Sequence, residues 1–591
     1  MVQLILALAV ATDVRGEVRN ALSDQPLAGV MVTTVGGSDT ARTDTNGRFR
    51  LALVTAGRLR FTHVGFSSLE VLATPGDTAL RIMMTPTPRT LEASTITAVR
   101  GDAVAPVTRS TIDAAELDRR YFGQELPLLL TASPSITAYS DAGSFSGYSY
   151  LRLRGIDQSR VNITLDGIPL NDPEDHFVYF SDFPDLTNSL ESVELQRGVG
   201  ASSNGVASYA GSLTMESVSL AAARRGGDVQ LERGSFDSNR ASVEYASGLL
   251  PSRFSFYGRV SAQETDGYRR HSSNRSGSFF VSGGYFGDRD IVKAVAFGGR
   301  ARNGLAYNAA SAEDLAVDPR TNPLSPEERD DFYQNFASVQ YTHLLGVDAN
   351  VGLTAYGMWS NGDYDVRIDP DLWNYGLSSG AGGAIATARA RFGRLRVLGG
   401  AHANGYRRSH YAAVRPDLDT RLYDNSGDKN EASAFAKASY DVGRWSLFGD
   451  LQVRHAAFHY NPDANAGIPS RRIDWSFVNP KVGATWEASR AVRLYASYGR
   501  NSREPTRNDM FAGFDNLDTS NVDFIGNLNR VRPESVRDLE AGVVARTSRV
   551  GIQANVYSMR FHDEISAIGP LSYLGLPLRK NVGRSFRRGV E

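Results

Sequence analysis

The sequence predicts a mainly β chain in three parts: an N-terminal β-sandwich, a compact α/β unit and a long antiparallel transmembrane β-barrel. Three observations carry this. Short β-rich runs separated by Gly, Asp, Asn and Pro fill the first 85 residues. From about Gly226, alternating strand-like runs are joined by very short and very long connections in turn. A sandwich has no reason to keep every second loop short, whereas a membrane barrel does. Across 591 residues of mean hydropathy −0.30, no apolar run nears the ~20 residues of a membrane helix. Zero Cys excludes disulfides, thiol catalysis and Cys-bound metals, and a net charge of −1 offers no field for nucleic acid.

Residues 1–12 begin with the apolar run MVQLILALAVA and read as a signal segment. Residues 13–85 hold the runs VRGEV, GVMVTTV, GRFRLAL, GRLRFTHVGF and TALRIMM. Gly16, Pro26 to Val30, and Thr43-Asp44-x-Asn46-Gly47-x-Phe49 in that order resemble the carboxypeptidase-regulatory-like domain, which carries no catalytic residues in such a setting. Pro86 and Pro88 open an extended linker. In the α/β unit, Ile112 to Tyr121 reads as a helix capped by Thr111. Tyr150–Leu153, Val161–Asp166 and Glu191–Gln196 read as strands, with a turn at Gly167. The barrel region offers 16 strands. Its tight connections are Leu250–Ser252, Gly287–Asp290, Leu345–Val347, Val442–Arg444, Ala488–Ala491 and Thr547–Arg549. Its long ones are Gly304–Gln334, Asn361–Gly383, Arg407–Asn430, Asn461–Arg472, Ser502–Ser535 and Glu564–Val582. Phe254, Phe256, Val260 and Ala262 share one side of a strand, and Ser255, Tyr257, Arg259 and Gln263 the other. One wholly polar face suits a wet lumen.

The α/β unit carries Leu151-Arg152-Leu153-Arg154-Gly155, then Val161 to Asp172 with Leu165-Asp166-Gly167-Ile168-Pro169-Leu170-Asn171, then Leu190 to Gly198 and a Gly-rich continuation to Gly211. This order resembles the plug of TonB-dependent outer-membrane receptors. Ser502-Arg503-Glu504-Pro505-Thr506-Arg507, Arg532-Pro533-Glu534 and Asn581-Val582 to Glu591 resemble their barrel. The resemblance divides the chain into a linker and TonB box (86–100), a plug (101–221) and a barrel (222–591). It implies 22 strands where 16 are counted, so a C-terminally incomplete barrel is expected, with a true 16-stranded barrel as the alternative. It also implies a bacterial outer-membrane location, contact with outer-membrane lipid, and the energising protein TonB as partner. The expected cargo is a scarce ligand, most commonly a ferric siderophore. Glycan, cobalamin, heme or peptide import, and a passive porin or adhesin, are the other readings.

No active-site pattern stands in a suitable context, and no cofactor is expected. His455 and His459 are spaced for a helical metal site but lie on a strand-like run. Ser94, Thr95, Ile96, Thr97, Ala98 and Val99 resemble the TonB box, an extended β-branched segment suited to strand addition; an ordinary first plug strand is the alternative. Arg154 and Arg197 match the family's plug arginines that lock to barrel carboxylates, with Glu540 as the expected partner. Phe145, Tyr148, Tyr150, His176, Phe177 and Tyr179 lie on two plug loops and are expected to form an aromatic ligand floor.

Overall fold

A computed structural model describes residues 12–84 and 105–591, apart from 22–23, 36–38, 64–65, 67, 201–208, 347, 548 and 573–576. The expected signal segment up to residue 11 and the TonB-box segment Ser94–Val99 lie outside the described residues.

The first unit is a sandwich of strands β1 (Thr12–Asn20), β2 (Met31–Thr34), β3 (Thr40–Arg42), β4 (Arg48–Leu53), β5 (Gly57–Thr62), β6 (Leu69–Ala73) and β7 (Leu80–Met84). They form two sheets, ordered β4-β1-β7 and β3-β2-β5-β6. In β4 the side chains strictly alternate, so Phe49, Leu51 and Leu53 join Val14, Val18, Val32 and Phe61 in the core. Asp44 builds the turn before β4: its Oδ1 accepts from the backbone N–H groups of Asn46 (2.9 Å) and Arg48 (2.8 Å).

The plug holds β8 (Arg109–Asp113), β9 (Ile136–Ser140), β10 (Ser149–Leu153), β11 (Ile156–Asp157), β12 (Val161–Leu165), β13 (Ile168–Pro169), β14 (Leu190–Arg197) and β15 (Gly211–Ser217). One sheet runs β13-β12-β15-β14-β8, with β12 and β15 parallel, and a smaller one runs β11-β10-β9. The expected helix is shorter, Ala114–Arg120, and its cap is Asp113, which accepts from the Glu116 N–H at 3.0 Å. Thr111 and Ile112 instead extend β8, where Ile112 pairs with Val193. Pairing to β14 satisfies the backbone that a longer helix would have left open. Two hairpins turn on residue pairs with positive φ, Arg154-Gly155 and Asp166-Gly167. Such two-residue turns match the twist of the strands they join.

Sixteen antiparallel strands form the barrel sheet in sequence order: β16 (Gly226–Gly234), β17 (Ser238–Ala246), β18 (Phe254–Thr265), β19 (Asn274–Phe286), β20 (Asp290–Gly304), β21 (Arg329–Leu344), β22 (Ala349–Ile368), β23 (Asp371–Phe392), β24 (Leu395–Val414), β25 (Asp417–Val442), β26 (Trp445–Asn461), β27 (Arg471–Glu487), β28 (Val492–Arg503), β29 (Glu534–Arg546), β30 (Gly551–Leu571) and β31 (Pro577–Val590). The six tight connections fall where expected. Two of the expected long connections do not exist as loops, and a third is mostly strand. Asn361–Gly383 and Arg407–Asn430 are strand: β22 meets β23 across Asp369-Pro370, and β24 meets β25 across Arg415-Pro416. Most of Glu564–Val582 likewise belongs to β30 and β31. These stretches are polar because they reach past the apolar band, and cross-strand pairing keeps them extended all the same. Gly304–Gln334, Asn461–Arg472 and Ser502–Ser535 do contain loops, the last with helical turns at Arg507–Met510 and Val522–Ile525.

Facing follows the alternation. Phe254, Phe256 and Val260 are exposed on the outer wall, while Ser255, Tyr257 and Arg259 are buried against the plug side. No helix among the described residues is long and apolar enough to cross a membrane.

Candidate functional site

The plug packs against the inner face of the barrel sheet and is held by buried charge. The hairpin turn at Arg154-Gly155 projects the Arg154 guanidinium, fully buried, against two carboxylates. Nη1 donates to Glu540, Nε and Nη2 each donate to Glu591 at 3.0 Å, and the plane lies 3.7 Å over the Tyr557 ring. This bidentate fork is the geometry in which Arg outperforms Lys. Glu540 also accepts from Thr108 Oγ1 at 3.0 Å. Arg197 does not reach Glu540. Arg154 occupies that carboxylate, while Arg197 Nε donates to the Pro134 carbonyl (3.1 Å) and Glu591 lies 3.8 Å away.

A second anchor lay unnoticed in the sequence. Arg160 donates through Nε and Nη2 to Glu534 at 2.9 and 3.2 Å. The same carboxylate accepts from Arg503 Nε and from the Ile565 N–H, both at 2.7 Å. Glu534 and Arg503 sit in the Arg-Pro-Glu and Ser-Arg-Glu-Pro motifs, so charged residues at strand ends were the available signal. Next to it, Asp538 accepts from the Val199 N–H at 3.0 Å, and Lys481 donates to the Val199 carbonyl at 2.5 Å. Gly198, at φ +74°, lies so close that an added Cβ would sit 2.3 Å from Asp538 and 2.4 Å from Glu540.

The plug loop after β13 makes the third anchor. Glu174 accepts from Arg507 (3.2 Å) and meets His410 Nε2 (3.1 Å), whose Nδ1 lies 2.8 Å from Asp515. Burial alone would raise the Glu174 carboxyl, yet Arg507 and His410 hold it down at about 2. Asp172 meets Arg408 at 2.7 Å and accepts from Tyr406 Oη at 2.7 Å. One cluster therefore ties the plug, β24 and the loop after β28.

His176 belongs to this charged layer and not to an aromatic floor. It is buried, Arg503 Nη1 donates to its Nδ1 at 2.8 Å, and Lys429 Nζ lies 2.9 Å from Nε2. Burial, then the Lys429 ammonium, lowers the imidazole to about 4. Phe145 also stands apart, edge-on to Phe122 at 6.1 Å. The other four expected residues do come together. Tyr150 meets Phe177, Phe177 stacks on Tyr179, and Tyr179 meets Tyr148, each at 6.1 Å between centroids. Tyr139, missed in the sequence, extends the row at 5.3 Å from Tyr150, with the Arg152 guanidinium 5.9 Å over its ring. Among the described residues, no group of three or more His, Cys, Asp or Glu is arranged to hold a metal ion.

A folded domain pinned by ion pairs against the inner face of a long antiparallel barrel sheet is a plug-and-barrel architecture. Family comparisons agree along the chain: the carboxypeptidase regulatory-like domain matches residues 13–87, the TonB-dependent receptor plug domain 103–212, and the TonB dependent receptor-like β-barrel 225–591. The chain belongs to the TonB-dependent receptor family. Among solved structures it is similar to the ferric citrate transporter FecA in unliganded form (TM-score 0.68, 13% identity, covering 83% of this chain and 74% of that one). It is also similar to the ferric yersiniabactin uptake receptor FyuA from Yersinia pestis (0.64, 14%, 84% and 77%) and to the copper transporter OprC (0.64, 14%, 82% and 77%). At such identities the likeness is one of fold. No curated protein matches the chain in sequence.

Proposed function

We propose that this chain is a bacterial outer-membrane receptor that captures a scarce small ligand, a ferric siderophore, on the plug and releases it inward by energised plug movement. The observation that carries the reading is the row Tyr139, Tyr150, Phe177, Tyr179 and Tyr148, flanked by Arg152. Partly exposed rings offer apolar faces to a bulky chelate, and a guanidinium answers its anionic edge. In this reading TonB adds a strand along Ser94–Val99 and pulls. Three sets of buried ion pairs hold the plug at rest, which argues against a passive pore and gives the pull its work to do. The ferric relatives FecA and FyuA favour iron as cargo. The test is growth of a deletion strain on defined iron sources, paired with uptake of iron-labelled siderophore in cells with and without TonB. Uptake restored only by the gene together with TonB supports the reading. Equal uptake without TonB, or growth unaffected on every iron source, overturns it.

A further inference from the structure

The hairpin β9-β10 carries the centre of the aromatic row on one face. Side chains alternate across it, so Ile136, Leu151 and Leu153 are buried while Tyr139, Tyr150 and Arg152 lie on the opposite, open side. Arg152 stands opposite Thr137, and Tyr150 opposite Tyr139. Asp141 continues the same face: its N–H donates to the Tyr148 carbonyl at 3.0 Å, and its carboxyl lies beside the Tyr150 hydroxyl. Four residues separate Thr137 from Asp141, about 13 Å of extended strand. The rings therefore lie between a guanidinium at one end and a carboxyl at the other.

At the carboxyl end, buried acid goes unpaired. Elsewhere Glu534, Glu540, Glu174 and Asp172 each meet a guanidinium. Around Asp141 lie Glu125, Asp182 and Asp330, and among the described residues none of the four forms an ion pair. Glu125 accepts from neutral donors, the Gly147 and Ser149 N–H groups at 2.8 and 2.7 Å and Ser149 Oγ at 2.6 Å. Asp330 accepts from Asn303 Nδ2 at 2.8 Å. Asp182 is 5% exposed, and one of its carboxyl oxygens has no hydrogen-bond partner. Arg269 sends its field to Asp141, but its donors go to the carbonyls of Asp141, Ala306, Asn308 and Thr321. Arg329 forks onto Asp363 and Asp365 instead. Burial, then the charges of Asp330 and Glu125, push the Asp182 carboxyl up, and burial with Glu125 brings that of Asp141 to about 7. Acid buried without a partner takes a proton or a cation from outside. No three of these groups are arranged to hold a metal ion, so the cation that fits is an organic one.

An ammonium group meets these terms. Its N–H donors suit the Asp141 carboxylate and the Tyr150 hydroxyl, ring faces attract it, and the buried acids add their field. A polyanionic chelate would bring like charge against the same end. We propose that the aromatic row takes a ferric chelate bearing an ammonium group, which seats on Asp141 while the acidic edge of the chelate turns to Arg152. The proposal rests on the ferric-siderophore reading above. It also sets a pH dependence. The groups facing Asp141 are Glu125, Arg269 and the phenols of Tyr139, Tyr150 and Tyr307. An alkyl ammonium, with a pKa of about 10, stays charged between pH 6 and 8, while the Asp141 carboxyl ionises through about 7. The attraction is therefore present above pH 7 and lost as pH falls below it.

The test titrates the full chain, purified in detergent, with ferric desferrioxamine B, whose pendant ammonium is free, and with its N-acetylated form, which keeps the chelate and removes the charge. At pH 8 the ammonium form should bind at least tenfold tighter. Lowering the pH to 6 should weaken it about tenfold, as the ionised share of Asp141 falls, and should leave the acetylated form unchanged. Asp141→Asn should erase the difference between the two forms, with heat-modifiable migration reporting an intact barrel. If that variant fails to fold, the wild-type comparison of the two forms at pH 6 and 8 decides alone. Equal affinity of the two forms, tighter binding of the acetylated one, or saturable binding of neither overturns the proposal. So does a ferric tris-catecholate bound as tightly as the ammonium form. Uptake by cells separates the two readings. TonB-dependent uptake of another iron-labelled siderophore, with neither desferrioxamine form bound, removes the ammonium site alone. Uptake independent of TonB for every siderophore removes the capture reading itself.

Discussion

Glu534→Gln is the sharpest probe of how the plug is held. The carboxylate is fully buried and accepts from Arg160, Arg503 and the Ile565 N–H. Gln keeps the shape and one acceptor oxygen, but leaves two buried guanidiniums facing a neutral group. Breaking one buried ion pair costs about 3–5 kcal/mol. Two pairs share this carboxylate, and their losses do not add, so about 4 kcal/mol is a fair expectation, close to a thousandfold in an opening equilibrium. Glu540→Gln should cost less, about 1–2 kcal/mol, because Arg154 keeps Glu591 at 3.0 Å. The assay is hydrogen exchange of plug amides in β12 and β14, with heat-modifiable migration reporting the barrel separately. The expected order of plug exchange is Glu534→Gln, then Glu540→Gln, then wild type. Plug exchange unchanged in Glu534→Gln, or faster in Glu540→Gln than in Glu534→Gln, would refute the assignment of Glu534 as the main anchor.

The remaining predictions follow from individual contacts. Gly198→Ala places a Cβ against Asp538 and Glu540 and should speed exchange around Val199 without changing barrel migration. On the proposed ferric-siderophore reading, Tyr150→Ala with Phe177→Ala should weaken ligand binding about tenfold or more, each ring contact contributing roughly 1 kcal/mol beyond area, as read by titration of the purified receptor. His176 is held neutral with its pKa near 4, below the usual 6.5, so the unfolded chain takes up the proton first as pH falls. Plug stability should therefore decline from about pH 6.5 toward 4, and a His176→Asn variant should show a flatter denaturation profile across that window. Thr97→Pro should abolish energised uptake and leave ligand affinity intact, since proline removes a ladder donor; unaltered uptake would move the TonB contact elsewhere.

The strands of the barrel were legible because lipid on one side and water on the other impose alternation, as in Phe254–Gln263. The upper halves of β22 to β25 were not. Outside the lipid neither face need be apolar, so Asn361 to Tyr375 looks like a loop although all of it but the Asp369-Pro370 turn is paired residue by residue with its neighbours. Arg154 and Glu540 were legible through motif resemblance. Arg160 and Glu534, 374 positions apart, were not, since pairing at that distance leaves no local pattern. The aromatic loops announced themselves by composition, but His176 was misplaced: nothing adjacent in sequence reveals that Lys429 and Arg503 face it from the barrel.

The strand β25 runs for 26 residues, and at ~3.3 Å per residue with a tilt near 40° its rise is about 65 Å, against an apolar band of ~25 Å. In the outer-membrane reading proposed above, it stands with its neighbours β22 to β24 on the cell as a ribbed parapet topped by two-residue turns. An antibody or phage arriving from outside would meet continuous hydrogen-bonded backbone and not a fringe of pliable loops. Such a face changes shape little on contact, so what it presents to immune or viral recognition is a fixed relief, set by side chains alone.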